Sequence, residues 1–328
     1  MTTHAGALLG PDYVIPDEER PLPQRRESFS ELLARLSHLS VVKHFDAYAD
    51  IDWDGEEFRI DPDDPRWALW LGEGLGATAW YQAQPPGVRS RLGLHLIASA
   101  MKVGLEFESV LKRGLLEFAS TLPNGALEFR YVYHEVIEEA QHSLMFQEFV
   151  NRSGLEVPGL PALMRFGSRQ VARFGRTFPE LFFIFVLGGE DPIDYVQRSV
   201  LRSGKEVHPL VRRIMQIHIT EEARHICFAR EYLRHHVPQL SVAGKLMLTV
   251  RAPMILATMA ATMMRPSGYV VSHYGIPADV VAEAYTNNPQ HRAHTLAALA
   301  KVRDLCRELA IVTPASAWFW QRLGIWDA

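Results

Sequence analysis

Cysteine is nearly absent from this chain. The two present, Cys227 and Cys306, stand far apart in separate predicted helices, which excludes a disulfide framework and a thiolate metal site and leaves oxygen and nitrogen as the donors available. Net charge is equally slight: 34 Lys plus Arg against 38 Asp plus Glu leave a formal -4. That is no field for a polyanion, so nucleic-acid binding is not expected. The opening residues (MTTHAGALLGPDYVIPDEERPLPQRR) hold no basic segment followed by an apolar core; secretion is not indicated and a cytoplasmic location is expected. Long unbroken hydrophobic runs are missing too. Residues 243–264 are apolar and Met-rich, yet Lys245, Arg251 and Pro253 interrupt them short of the ~18 uncharged residues a spanning helix needs. We therefore expect no membrane span there but a buried helix, placed at the subunit interface of a homodimer. Glycine-rich phosphate loops, dinucleotide fingerprints and nucleophile elbows are absent as well. Any redox chemistry must draw on an external electron donor.

What the chain does have is helical periodicity. Strand-like alternation is scarce, whereas apolar residues recur at three- and four-residue spacing from Pro86 onward, broken at Leu122-Pro123-Asn124-Gly125 and Val157-Pro158-Gly159. The pattern predicts an all-α fold with helices over 87–120, 126–152, 161–175, 178–203, 206–236, 240–264, 278–286, 289–310 and 314–323. Residues 1–85, rich in Pro, Asp and Trp, read as an N-terminal arm packed on the core, with short helical stretches over Ser28–Ser37 and Trp67–Tyr81. Residues 86–264 then form a helical bundle, and 265–328 add C-terminal helices to the same domain.

Two of the long helices carry metal-ligand signatures, Glu139-x-x-His142 and His218-x-x-x-Glu222-x-x-His225. Residues three and four apart share a helix face, so each signature turns its carboxylate and imidazole groups to one side. The rest of each face is apolar, where an uncompensated charge is expensive and a metal ion would compensate it. Glu on one helix, Glu-x-x-His on the next, then the same again, is how four-helix bundles of the ferritin type hold two iron or manganese ions. The missing single acids are found where that pattern asks for them. In MKVGLEFESVLKRGLLEF, Glu108 lies on the apolar stripe with Met101, Leu105, Leu111 and Leu115, while Glu106 lies with Lys102, Ser109 and Arg113; Glu108 is the favoured ligand and Glu106 the alternative. In PELFFIFVLGGEDPIDYV, Glu190 follows two apolar turns and two glycines, and those glycines with Pro192 suggest a locally distorted helix. The candidate set is Glu108, Glu139, His142, Glu190, His218, Glu222 and His225. His134-Glu135 lacks a second histidine four residues on, since Glu138 stands there, which excludes the zinc-protease reading.

A bundle with Glu, Glu-x-x-His, Glu and His-x-x-x-Glu-x-x-His resembles the p-aminobenzoate N-oxygenase family of di-iron arylamine oxygenases, in which a third histidine sets the site apart from other ferritin-like di-iron centres. Glu139 and His142 match the family's first motif; His218, Glu222 and His225 match the second, with Glu190 upstream at a comparable distance. The resemblance spans about residues 90–236. It implies a ferritin-like bundle holding two iron ions, with manganese as the other candidate metal. It further implies Glu139 and Glu222 as bridges, Glu108 and His142 on one ion, and Glu190, His218 and His225 on the other. O2, a small-molecule substrate and an external electron donor would be the partners, and oxidation of an arylamine nitrogen the reaction. The competing expectations are an acyl desaturase or hydroxylase, which would not need His218, and a non-catalytic metal-binding bundle.

Overall fold

The computed structural model describes residues 27–71 and 74–326; the start of the arm, with the segment searched for a leader, lies outside them. Helix α1 (Phe29–Val42) opens on a capping box in which the Ser28 side chain accepts from the Glu31 amide and the Glu31 carboxylate accepts from the Ser28 amide. The helix predicted over 67–81 does not form as such. Two 3₁₀ turns, Pro65–Trp67 and Gly74–Ala77, and a single turn α2 (Ala79–Gln82) take its place, because side chains claim the backbone: the Trp67 indole donates to Asp61 O and Tyr81 Oη accepts from Leu69 N, both at 2.7 Å.

Five helices then build the bundle: α3 (Pro86–Ala119), α4 (Leu127–Ser153), α5 (Ala162–Thr177), α6 (Pro179–Arg202) and α7 (Pro209–His236). Proline occupies the first turn of α3, α6 and α7, where its missing N–H has no helical partner to lose. Helix α7 begins later than its periodicity predicts, since His208 caps it by accepting from Leu210 N. Short connections return α3 along α4 and α6 along α7, while α5 fills the crossover and packs on α3 and α6. That is the connectivity of ferritin-like bundles with one long crossover. The fold is all-α, and no strand occurs among the described residues.

Helix α8 (Val242–Met263) packs on α6 through Leu248, Ala252, Leu256 and Ala260. Val242, Leu246, Val250 and Met254 on its other side are exposed in the single chain, so α8 is buried on one face only, and the other is the face that a subunit interface would cover. By length and composition alone the stretch Val242–His273 is also apolar enough to cross a membrane. The chain closes with α9 (Gly268–His273), α10 (Ala278–Val281) running into a π turn over Ala282–Thr286, α11 (Pro289–Ala298), α12 (Ala300–Glu308) and α13 (Ala317–Arg322). The single helix predicted over 289–310 is thus two, divided at the fully buried Leu299.

Two apolar clusters fill the bundle. One gathers Leu111 and Leu115 of α3, Tyr131 and Val132 of α4, most of the first half of α6, and Phe228 to Leu233 of α7. The other gathers Ala98 and Met101 of α3, Met145 and Phe149 of α4, Ile214 and Ile217 of α7, and Ile51, Trp53 and Trp67 of the arm. On α3, α4 and α7 the candidate ligands fall between the stretches that feed these clusters. The polar centre is therefore sealed by hydrocarbon along the bundle axis in both directions.

Candidate metal centre

Helix α3 supplies Glu108, α4 supplies Glu139 and His142, α6 supplies Glu190, and α7 supplies His218, Glu222 and His225; all of them are fully buried. Their donor atoms converge in overlapping groups, among them Glu139 with His142 and Glu222, Glu190 with His218 and Glu222, and Glu108 with Glu139 and Glu190, each within 4.8 Å. Glu106 is elsewhere. Its carboxylate accepts from Leu160 N at 3.0 Å, against Gly159, where a Cβ would overlap it.

Close helix approach makes this convergence feasible. Helix α6 runs unbroken from Pro179 to Arg202, so the expected distortion around Gly188-Gly189 is corrected. Those glycines serve packing instead: a Cβ on Gly189 would overlap the ring of Phe107, and Phe107 and Gly189 each precede one of the acids, Glu108 and Glu190. The missing Cβ lets α3 and α6 bring the two carboxylates together. Gly189→Ala should cost about 1–3 kcal/mol, as overpacking does, and should lower metal content as well as the melting temperature. Loss of stability with full metal content would show that this contact does not set the spacing of the two acids.

The two motif helices are linked crosswise. His142 Nε2 lies 2.9 Å from Glu221 Oε2 and His225 Nε2 lies 2.7 Å from Glu138 Oε2, so the acid preceding each motif glutamate holds the histidine of the opposite helix. A carboxylate accepts, so each Nε2 donates and each Nδ1 is left facing inward. His142 Nδ1 is 3.0 Å from Glu139 Oε2 and 3.2 Å from Glu222 Oε1, and His225 Nδ1 is 2.9 Å from Glu139 Oε1 and 3.2 Å from Glu222 Oε1. Arg224 joins the two outer acids, 2.8 Å from Glu138 and 3.6 Å from Glu221. The arm reaches this layer too: Phe45 N donates to Glu221 Oε1 at 3.1 Å and Ala47 N to Gln141 Oε1 at 2.9 Å. Beside His142 these arm residues pack closely with Met145 and Ile217.

None of Glu135, Glu138, Glu221 and Arg224 was singled out as a site residue from sequence. The signal was the doubling, Glu138-Glu139 and Glu221-Glu222, each ahead of its x-x-His. Lys112, one turn past Glu108, was also overlooked; its ammonium donates to Glu139 O at 3.0 Å and to Ser143 Oγ.

Electrostatics show how this centre is balanced by protons alone. Burial, reinforced by neighbouring carboxylates, drives Glu108 and Glu190 well above the ordinary carboxylate range, and burial does the same to Glu135. Burial opposes charge on Glu139 and Glu222 as well, but the imidazoles of His225 and His142 outweigh it, holding Glu139 well below its usual value and Glu222 at about 2. His142 and His225 move well upward in return, their carboxylate partners overcoming burial. His218, without a close partner, is pushed down to about 4 by burial. Both oxygens of Glu108, both of Glu190 and both ring nitrogens of His218 lack a hydrogen-bond partner. Buried polar groups are rarely left so. Carboxylates and imidazoles without thiolate are the donor set of iron and manganese, and these orphaned atoms fit such ions.

Comparison with known proteins agrees with this chemistry. The model of the family described as p-aminobenzoate N-oxygenase AurF matches residues 26–310. Uncharacterized proteins of Mycobacterium tuberculosis (strain H37Rv) and Mycobacterium bovis are each 40% identical over 293 residues, covering 89% of this chain and 86% of the relative. No solved structure matches the chain.

Proposed function

Since the chain belongs to the p-aminobenzoate N-oxygenase family, we propose that it is a di-iron oxygenase oxidising the nitrogen of an arylamine. Glu139 and Glu222 would bridge two iron ions, Glu108 and His142 would complete one, and Glu190, His218 and His225 the other. Manganese is the alternative metal. When bound, the ions would supply O2 activation and electron transfer, chemistry that no side chain in this centre offers. The observation that carries the proposal is the fully buried His218, neutral by its lowered pKa, with both ring nitrogens unpartnered beside Glu108 Oε1 at 3.7 Å and Glu222 Oε1 at 3.8 Å.

The protein's own part is positioning and exclusion of water. Glu221 and Glu138 fix the rings of His142 and His225 and keep a proton on each Nε2, which leaves Nδ1 as the donor toward a metal; outer partners of this kind tune ligand basicity. The apolar clusters on either side keep the centre dry. Electrons would come from an external donor, and we place the enzyme, as a homodimer, in the cytoplasm.

The test is metal analysis followed by turnover. Protein produced with iron should carry about two ions per chain and, given a chemical reductant and O2, should oxidise an arylamine such as an aminobenzoate. Near-zero metal, or one redox-silent zinc, would defeat the di-iron reading. Two irons with oxidation of an acyl chain in place of an arylamine would make the protein a desaturase or hydroxylase, and two irons without any turnover a non-catalytic metal-binding bundle.

A further inference from the structure

We infer that Glu135 is an additional ligand, joining the ion held by His225 and closing its coordination. The inference rests on the di-iron reading above. Glu135 stands one helical turn before Glu139 on α4 and is fully buried. Neither of its carboxylate oxygens has a hydrogen-bond partner, although an unpartnered buried carboxylate is costly. It points at the centre: one donor atom each from Glu135, Glu139 and His225 lie within 4.8 Å of one another. Ligands about 2.0–2.2 Å from a common ion stand no farther apart than about 4.4 Å, so a small inward adjustment lets all three share one.

Charge supports a cation there. Seven buried carboxylates crowd this centre, Glu108, Glu135, Glu138, Glu139, Glu190, Glu221 and Glu222. Arg224 is ion-paired with two of them, and Lys112 donates to the backbone of a third. Two divalent ions would offset four charges of the excess, and direct ligation gives Glu135 the partner that the protein does not.

The consequence is an asymmetric pair. In the ligand assignment proposed above, Glu135 joins Glu139, Glu222, Glu190, His218 and His225 at one ion, a full octahedral set; His218 also lies within reach of Glu108 and His142. The ion at His142 keeps Glu108, His142 and the two bridges, and therefore the open positions. Exogenous molecules would bind at the His142 ion.

Cobalt(II) titration of the full chain tests this, because cobalt reports both affinity and coordination number in its visible absorption. Wild type should take up two ions, one with the weak bands of six-coordination. Glu135→Gln should bind the first ion unchanged and the second at least about tenfold more weakly, in the range for altered metal shells, with stronger bands as coordination number falls. The same affinities and bands as wild type would overturn the inference. Tyr131→Phe, which alters the neighbouring buried hydroxyl, is the control; an equal loss there would show general loosening and overturn it too. Should Glu135→Gln not fold, Glu135→Asp keeps the charge while withdrawing the oxygens, and unchanged binding of the second ion would again refute ligation. Wild type that binds no cobalt would instead defeat the di-iron reading itself.

Discussion

The stabilisation that iron gives this protein is expected to grow as pH rises from about 4.5 toward neutrality. The sign follows from the buried acids. Glu108, Glu135 and Glu190 have folded pKa values raised by burial above the ordinary 4.5, so the stability tied to their protons is fully present below that value and disappears as pH climbs through the folded ones. Glu139 and Glu222, shifted downward by imidazole partners, contribute fully throughout this window, and the raised pKa values of His142 and His225 keep those pairs charged across it. Metal counters that loss, because it displaces protons from the same groups and binds more tightly as they become scarce. Leaving even one buried charge uncompensated costs about 3–5 kcal/mol, so at pH 7 the loaded protein should melt at least ~4–7 °C above the metal-free one, a chain of this length gaining roughly 1.5 °C per kcal/mol. Calorimetry of both forms at pH 5, 6 and 7 would show the gap widening. A constant gap would mean that these carboxylates do not titrate against the ions.

His218→Ala should separate chemistry from metal binding. The remaining candidate donors, with Glu139 and Glu222 shared between ions, still offer each ion several ligands, so the iron content should stay near two. Turnover of an arylamine should nonetheless fall more than about 100-fold, beyond the 10–100-fold that loss of an outer partner costs. His218 is fully buried and without a hydrogen-bond partner, so its removal breaks no internal bond, although it opens a cavity worth about 1–3 kcal/mol. Iron content and turnover measured on the same preparation decide the matter: activity within a few-fold of wild type would remove His218 from the ligand set, and loss of both ions would make it structural.

Much of the bundle was legible because it is written in local periods. The apolar stripe through Met101, Leu105 and Leu111 turned Glu108 inward and Glu106 outward, and the structure places their carboxylates accordingly. What failed to show was non-local. Glu138 and Glu221 look like solvent-facing neighbours of their motifs, since adjacent residues point about 100° apart on a helix; only the packing of α4 against α7 reveals that each faces the other helix's histidine. Gly189 read as a weak point in α6 because a sequence does not display Phe107 lying against it.

The bond from Phe45 N to Glu221 gives this closed centre a reporter at the surface. Glu221 holds His142, so any turn of that imidazole on loading pulls on one identifiable backbone amide in the arm. Its NMR shift and hydrogen-exchange rate should follow occupancy of the His142 position when the diamagnetic ion zinc is titrated in, giving a readout that needs neither colour nor turnover. Glu221→Gln, which keeps the shape of the side chain and loses its charge, should weaken that amide's protection while neighbouring amides in α1 keep theirs.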